Sequence, residues 1–423
     1  MSGHDKVSAG RYELSFAQLT GPGGSKDITA LVGRLDIEES IYSYYATYKF
    51  YVVDGINMFE ELNLTGNEFL TFSADIKDEN NTTKNTVSKA LRVISYESYV
   101  RTQGASAYVI HAMDVTAFLA MTKRVNKSME GTCRDILEAL LTEVGYTPYD
   151  LKGDNSVGNH KVVFPNTSYM ESWEMMIRKG YSPDGSTYHL YETVWGEPKN
   201  LHTWKSMVEG SKIEDYYYRF NLQNEVALGT AAAYKWEEQS IKQMTTQLNL
   251  ANSDVSYTGG NTAKFHEFDI SKKFYEITQF DIIEEGGGLP KLLSKHMLDP
   301  MYGTGGPEGK SFLRTSNEMA YSDKGELFDL QEFSPEGKNL MKKNAVVQNS
   351  FAEIHTLTVA GNDKVYCGGI VEVTVPKTAD PEEKSGTDLR MSGKYLVTEV
   401  KHEFADDYKY IMRVKVQRDS RQK

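Results

Sequence analysis

Hydrophobic and polar residues alternate with a period of two through most of the first 116 residues, which is the pattern of β-strands that bury one face. The alternating positions are rich in β-branched and aromatic residues, and the pattern is clearest in Tyr12–Leu19, Ile28–Ile37 and Tyr45–Val53. Together with three strands of the repeated segment described next, it predicts about six strands, enough for an antiparallel barrel or sandwich.

A glycine turn, a strand, a polar loop and a hairpin occur near the N-terminus and again near the C-terminus. The first copy comprises Leu64–Asp75, Leu91–Tyr99 and Ala107–Met113, and the second comprises Gly361–Pro376, Ser392–Phe404 and Tyr408–Val416. The spacing agrees, because Gly66 lies 25 residues before Leu91 and Gly369 lies 26 residues before Tyr395. We therefore predict two similar β-units, so that a ring of identical chains would present twice as many units as subunits.

Between these copies the period changes to that of helices. Thr132 and Asp135 form a capping box before an apolar stripe that ends near Gly145. A second capping box at Ser168–Glu171 opens a helix that ends near Gly180. Strand-like segments follow at 187–195 and 201–204, so the pattern predicts a small α+β unit.

Residues 213–240 return to a strand-like pattern that includes Ala231–Trp236, whereas 241–335 are polar and interrupted by glycine. We predict a mainly β chain with α+β insertions: two antiparallel β-barrel domains and two smaller peripheral domains. The predicted domains are a first barrel at 1–116, an α+β domain at 117–212, a second barrel at 213–240 and 345–423, and an inserted domain at 241–344.

Composition narrows the class of protein. A chain of 423 residues predicts two to four domains, and a net charge of −12 argues against nucleic-acid binding through phosphate contacts. Residues 1–10 lack the apolar region of a signal peptide, and no apolar run reaches the length of a membrane span. Only two cysteines occur, which excludes a disulfide framework and favours folding in a reducing compartment.

Motifs for catalysis or metal binding are largely missing from the sequence. None of the nine histidines belongs to a His-Glu-x-x-His motif, and His111 and Asp114 would face opposite sides of a strand. Cys133 has no second cysteine nearby, so it is interpreted as a small buried side chain. The glycine run at 286–291 lacks the Ser or Thr of a phosphate-binding loop after Lys291.

Three pairs of adjacent acidic residues, Glu38–Glu39, Glu284–Glu285 and Asp406–Asp407, are interpreted as solvated. No Gly-x-Ser-x-Gly motif is present. We therefore predict that the chain is not an enzyme and has no catalytic, cofactor-binding or metal-binding residues. The residues predicted to matter are structural, with Gly66, Gly369 and Gly393 at turns.

The C-terminal copy resembles the central baseplate hub proteins of contractile-tailed phages and the N-terminal half of type VI secretion spike proteins. The match is most specific at Gly393, Tyr395, Val397, Val400 and His402.

Other parts of the chain also resemble this family. They are the segment Glu61–Glu68, and the order of a β-unit, a two-helix unit around Pro165–Ser168 and a return to β-strands. Tyr395 and His402 join the three glycines as candidate structural residues.

The resemblance implies a homotrimer whose six tube-like barrels form a pseudo-sixfold ring. Such a hub joins a trimeric central spike to hexameric tail-tube proteins, contacts the tape-measure and baseplate wedge proteins, and lets double-stranded DNA pass without specific binding. It would lie in the tail baseplate of the virion, after assembly in the host cytoplasm, and it needs no cofactor. The alternatives are a component of a type VI or extracellular injection system, and a glycan-binding or wall-degrading tail protein.

Overall fold

The computed structural model of the protein describes thirteen stretches of the chain, to which every structural statement below refers: 9–102, 104–147, 149–218, 231–248, 262–269, 274–281, 292–293, 295–296, 311–316, 346, 353–377, 386–405 and 408–421. Strands predominate over helices in the described residues taken together. The prediction of a mainly β chain is therefore confirmed.

The N-terminal part of the chain is almost entirely strand. Its elements are β1 (Arg11–Gly21), β2 (Gly24–Asp27), β3 (Val32–Ser40), β4 (Thr47–Asp54), the short helix α1 (Met58–Glu61), β5 (Phe69–Lys77), β6 (Thr83–Thr102) and β7 (Ala105–Asp114). Alternate residues of β4 and β5 are buried, as the period of two in the sequence predicts.

The α+β unit follows, with helices and strands interleaved. Its elements are α2 (Val115–Thr122), β8 (Arg124–Gly131), α3 (Cys133–Val144), β9 (Asp150–Leu151), β10 (His160–Ser168), α4 (Tyr169–Lys179), β11 (Tyr188–Tyr191), β12 (Asn200–Thr203) and α5 (Trp204–Val208). Both predicted capping boxes are present at the starts of α3 and α4, and Gly145 ends α3 in the left-handed conformation at φ 104°.

Strands dominate again in the C-terminal half. The elements are β13 (Lys212–Tyr218), α6 (Ala231–Glu238), β14 (Ser240–Ile241), β15 (Gln243–Leu248), β16 (Thr262–Asp269), β17 (Phe274–Asp281), β18 (Lys295–His296), β19 (Ser311–Ser316), β20 (Glu353–Ala360), β21 (Ile370–Thr374), β22 (Gly393–Ala405), β23 (Lys409–Arg418) and β24 (Ser420–Arg421). The strand-like interpretation of Ala231–Trp236 is wrong, because this segment lies in α6; three consecutive alanines favour a helix.

Fourteen strands form one sheet, and its strand order is β14-β13-β21-β22-β3-β4-β7-β6-β5-β1-β23-β20-β15, with β2 paired to β1. β22 also pairs with β23, so the path from β22 through β3 and back by β1 and β23 is a closed circuit of strands. β14 leads directly into β15, and it pairs with β13 while β15 pairs with β20. A second circuit therefore closes through β13, β21, β22, β23 and β20.

Two sets of six strands have the same order within this sheet. We define the first β-unit as β1 and β3–β7, and the second β-unit as β13, β14–β15 and β20–β23. Counted along the chain within each unit, with β14–β15 as one strand, the neighbours run 1-4-5-6-3-2 in both. The directions also agree, except that β1 runs antiparallel to β5 whereas β13 runs parallel to β21.

A β-bulge falls at the same place in the two units. The register between β6 and β7 shifts between Val93 and Ser95, and that between β22 and β23 shifts between Val397 and Glu399. The sequence repeat aligns Leu91 with Tyr395, and this alignment places the two shifts together. Because a bulge bends and twists its strand, the two units bend at equivalent points.

The hydrophobic core joins the two β-units. Phe50 and Phe72 of the first unit and Val397 and Val414 of the second belong to one continuous buried cluster. The helices α3 and α4 pack around a separate cluster, in which Trp173 is fully buried. A three-stranded sheet of order β17-β16-β19 lies within 262–316, in the segment predicted to be an inserted domain.

We expect Gly393→Ala to lower the free energy of unfolding by about 1–3 kcal/mol, measured by urea denaturation, because Gly393 has φ 131°, a conformation that side chains disfavour. Gly55→Ala is the control: Gly55 lies in an exposed loop and its added Cβ would meet no atom within 4 Å. Equal stability of the two variants would contradict the assigned strain.

Candidate functional site

The two β-units and the α+β unit meet at one buried carboxylate, that of Glu39 on β3. Glu39 is only 2% exposed. Its Oε2 accepts the backbone N–H of Val194 at 2.6 Å, and its Oε1 accepts the backbone N–H of Cys367 at 2.9 Å. One side chain of the first β-unit therefore holds both the α+β unit and the second β-unit.

His402 on β22 lies beside this carboxylate and is fully buried. Its Nδ1 is 2.7 Å from the hydroxyl of Tyr410, and its Nε2 is 3.8 Å from Oε2 of Glu39. The ring of Trp195, from the α+β unit, packs edge-on against the imidazole. The structure thus places this predicted residue inside the junction of the three parts, where it can position side chains and cannot reach solvent.

Glu39 corrects the interpretation of the acidic pairs as solvated. Adjacent residues of a strand face opposite sides, so Glu38 reaches Lys49 and Lys401 on the outer face while Glu39 points inward. The interpretation is therefore wrong for Glu39. The other two pairs, at 284–285 and 406–407, lie outside the described residues.

A buried ion pair holds the α+β unit against the first β-unit. The ammonium group of Lys199, which has no exposed surface, lies 4.0 Å from Oε1 of Glu192. Oε2 of Glu192 accepts the backbone N–H of Ala46 at 2.8 Å, and Lys199 donates to the carbonyl of Tyr44. Both charged groups therefore bond to the loop between β3 and β4.

Burial shifts the pKa values of this pair in opposite directions. Desolvation lowers the pKa of Lys199 to about 8, although the Glu192 carboxylate opposes the shift. Desolvation likewise raises the pKa of Glu192, and Lys199 opposes that shift. The rings of Tyr146 and Trp173 lie 4.6 and 5.3 Å from the Lys199 ammonium, so cation–π attraction offsets part of its lost hydration.

Two adjacent glycines shape the turn before β21. Gly368 has φ 84°, and a Cβ added there would lie 2.0 Å from the hydroxyl of Tyr191 in the α+β unit. Gly369 has no positive φ, but its added Cβ would lie 2.3 Å from Cδ1 of Ile213. The left-handed turn residue is thus Gly368, and the predicted Gly369 is the site of a close contact with β13.

A second buried network lies at the start of β20 and involves the predicted residue Tyr395. Oε1 of Glu353 accepts the Tyr395 hydroxyl at 2.9 Å and lies 2.8 Å from Nε2 of His355. The guanidinium of Arg418 donates to Oε2 of Glu353 and stacks 4.6 Å above the ring of Tyr395. These four side chains are at most 2% exposed and link β20, β22 and β23.

The pKa of Glu353 reflects this environment. Burial raises it, but the hydrogen bond from His355 and the charge of Arg418 outweigh burial, so the pKa is lowered from its usual range. The carboxylate therefore stays ionised beside its guanidinium partner.

The remaining predicted residues lie elsewhere. Gly66 precedes β5 with φ 88°, and its N–H donates to the carboxylate of Glu68. Gly393 begins β22. Cys133 is fully buried in the first turn of α3, as the sequence indicated.

No group of three or more His, Cys, Asp or Glu side chains suited to a metal occurs among the described residues. No helix in the same part of the chain is long and apolar enough to cross a membrane.

Opposite charges also connect the strands on the outer face of the seam between β3 and β22. Lys401 on β22 lies 3.1 Å from both Asp36 and Glu38 on β3. Further along, Glu403 lies 3.4 Å from Arg34. This row of ion pairs follows the line where the first β-unit meets the second.

We expect Arg418→Met to lower the free energy of unfolding by about 3–5 kcal/mol in urea, because the Glu353 carboxylate would remain buried without its guanidinium. Lys415→Met is the control, because Lys415 lies on the same strand as Arg418, β23. This change removes only the partly exposed ion pair with Glu399 and should lower the free energy of unfolding by at most about 1 kcal/mol. Similar losses for both variants would argue against the buried network.

Lys199 predicts a dependence of stability on pH. An unfolded lysine has a pKa of about 10.4, above the value of about 8 in the folded protein. The unfolded state therefore binds more protons between pH 8 and 10, and this residue's contribution to stability rises with pH. The unfolding free energy of the wild type minus that of the double variant Glu192→Gln/Lys199→Met should rise between pH 8 and 10. A constant difference would contradict the prediction.

No protein-family model matches the chain, and no curated protein matches it by sequence. Solved structures do match. The tail protein from Neisseria meningitidis MC58 is 12% identical with a TM-score of 0.53, and the alignment covers 97% of each chain. The 43 kDa tail protein of prophage MuSo2 from Shewanella oneidensis is 10% identical with a TM-score of 0.50, covering 96% of this chain and 98% of that one.

A more distant likeness involves the Francisella PdpA–VgrG complex, at 10% identity and a TM-score of 0.49, covering 99% of this chain and 59% of that one. The first two matches span nearly the whole of both chains, so the likeness includes the arrangement of the parts as well as one β-unit. The resemblance to tail proteins predicted from the C-terminal segment is thereby confirmed, and the chain has the fold of phage tail proteins.

Proposed function

We propose that the chain is the structural hub of a contractile phage tail, in which three copies form a pseudo-sixfold ring. The observation that carries this proposal is the shared strand order 1-4-5-6-3-2 of the two β-units. Two units of the same order in one chain let three chains present six similar surfaces. That is what a protein needs in order to join a threefold spike to a sixfold tube.

In this proposal each β-unit is a tube-like barrel. Two closed circuits of strands among the described residues support it, and the circuit of the first β-unit closes through β22 and β23 of the second. The α+β unit and the part of the segment 241–344 that follows β15 are peripheral domains outside the ring, since β15 itself pairs with β20 of the second β-unit. The buried contacts of Glu39 and Glu192 hold the α+β unit in a fixed position on its barrel.

The proposed partners follow from this geometry. A trimeric central spike binds one end of the ring and tail-tube proteins bind the other, with baseplate wedge proteins outside. The ring encloses the conduit for tape-measure protein and DNA, and a net charge of −12 keeps DNA from binding tightly. The role is structural and uses no catalytic residue or cofactor, and the protein resides in the tail of the virion.

We expect the purified chain, at concentrations of tens of micromolar, to sediment with the mass of three copies and to appear in projection images as a ring with a central hole. Three copies are expected because six barrels complete the pseudo-sixfold ring. Particles of two or four copies, or an exclusively monomeric chain under these conditions, would contradict the proposed ring.

A further inference from the structure

A line of three polar side chains crosses the α+β unit and ends at the second β-unit. Nε2 of His202, on β12, lies 3.3 Å from Oδ2 of Asp150 on β9, and its Nδ1 lies 2.8 Å from the hydroxyl of Tyr191 on β11. The Tyr191 hydroxyl lies against Gly368, where an added Cβ would be only 2.0 Å from it. His202 therefore lies directly behind a contact between the α+β unit and the second β-unit.

Exposure to solvent decreases along this line. The side chain of Asp150 is 26% exposed and that of His202 is 11% exposed, whereas Tyr191 is 1% exposed. The imidazole thus connects the surface, where protons exchange with water, to a buried hydroxyl.

The two partners of His202 fix which ring nitrogen carries the proton. An ionised carboxylate only accepts hydrogen bonds, so Nε2 donates to Asp150. Nδ1 of the neutral ring then accepts the hydroxyl proton of Tyr191. Burial raises the pKa of that hydroxyl well above its usual range, so Tyr191 keeps its proton and the neutral imidazole satisfies both partners.

A second proton on His202 would disrupt this arrangement. Both ring nitrogens would then donate, so the Tyr191 hydroxyl could no longer give its proton to Nδ1. In the described part of the chain this hydroxyl has no other hydrogen-bond partner, and the turn at Gly368 packs against it. A buried donor without an acceptor is costly, so water would have to reach Tyr191 by opening its contact with Gly368.

Titratable groups from several elements surround His202 and Tyr191. They are Asp150 and Lys152 at the end of β9, His189 opposite His202 on β11, Glu39 on β3, and Tyr366 and Cys367 in the turn before β21. Burial raises the pKa of the Cys367 thiol well above its usual range, so this group is neutral. Glu39 is already bonded to two backbone N–H groups. Asp150 is therefore the acidic group in direct contact with the imidazole.

We propose that His202 is a proton-operated latch between the α+β unit and the turn before β21. The neutral ring holds the hydroxyl of Tyr191 against Gly368, and the protonated ring opens that contact. The buried bonds of Glu39 and Glu192 keep the α+β unit attached while the latch is open. The latch goes beyond the proposed hub role and does not depend on it.

Acid is expected to open the latch. Burial lowers the pKa of His202, although the charge of Asp150 and its hydrogen bond oppose the shift. A histidine in contact with water titrates at about pH 6.5. The open state therefore binds more protons, so the latch is closed above that pH and opens progressively as the pH falls below it.

Hydrogen exchange measured by mass spectrometry tests the latch. From about pH 7.5 down to about pH 5, peptides containing 188–203 and 366–370 should lose protection relative to the intrinsic exchange rate at each pH. The loss should be at most about tenfold per pH unit, the limit set by one proton. In His202→Gln, which has no titrating ring, the protection of these peptides should not change with pH.

His111→Gln is the control. It removes a partly buried histidine that also contacts a carboxylate, that of Glu97, but lies on β7 of the first β-unit, away from the latch. In this variant the peptides of the latch should lose protection in acid as they do in the wild type. Equal loss of protection in the wild type and His202→Gln, or constant protection in the wild type, would overturn the proposal.

The titration of His202 provides a second measurement, which remains informative if His202→Gln fails to fold. In the wild type, the NMR signal of the C2 proton of His202 should titrate below about pH 6.5. Asp150→Asn should move this titration to lower pH, because the charge of Asp150 raises the pKa of the ring. A titration of His202 at or above about pH 6.5, or an upward shift in Asp150→Asn, would refute the latch.

Discussion

The arrangement of the whole molecule depends on the antiparallel hairpin of β22 and β23, because both strands belong to the second β-unit and also pair with strands of the first. Near the open end of this hairpin, β22 pairs with β21 and β23 pairs with β20, both in the second unit. Near the turn of the hairpin, β22 pairs with β3 of the first unit. Backbone hydrogen bonds therefore continue from one unit into the other without a linker. The two units cannot move apart unless this ladder breaks, which explains why they share one hydrophobic core.

Buried charged side chains hold the α+β unit, to which this ladder of backbone hydrogen bonds does not extend. Glu39 and Glu192 accept backbone N–H groups across the boundaries between parts of the chain, where a hydrophobic contact would leave those donors without a partner. Such contacts are directional, so they set one orientation of the α+β unit on the sheet. A rigid arrangement suits the proposed hub, which would present surfaces of fixed symmetry to two partners.

Much of the fold could be predicted from the sequence because local rules decide it. Alternation marked the strands, and the capping boxes at Thr132 and Ser168 placed both main helices. The strand prediction for Ala231–Trp236 is wrong, because a segment of alanine and aromatic residues is compatible with either a helix or a strand. The buried charges were missed for a different reason. A glutamate in a strand is normally expected to be exposed. Only the alternation of inward and outward residues along β3 indicates that Glu39, next to the outward Glu38, points inward.

By itself the sequence determined the strand-rich character of the chain and its two similar segments, because these depend on periodicity and spacing along the chain. The resemblance to tail proteins came instead from matching residues such as Gly393, Tyr395 and His402. Tertiary structure alone decided that the strands of both units join one sheet and that Glu39 and Lys199 lie buried between the parts. Pairing between strands hundreds of residues apart depends on how the whole chain packs, and no local pattern encodes it.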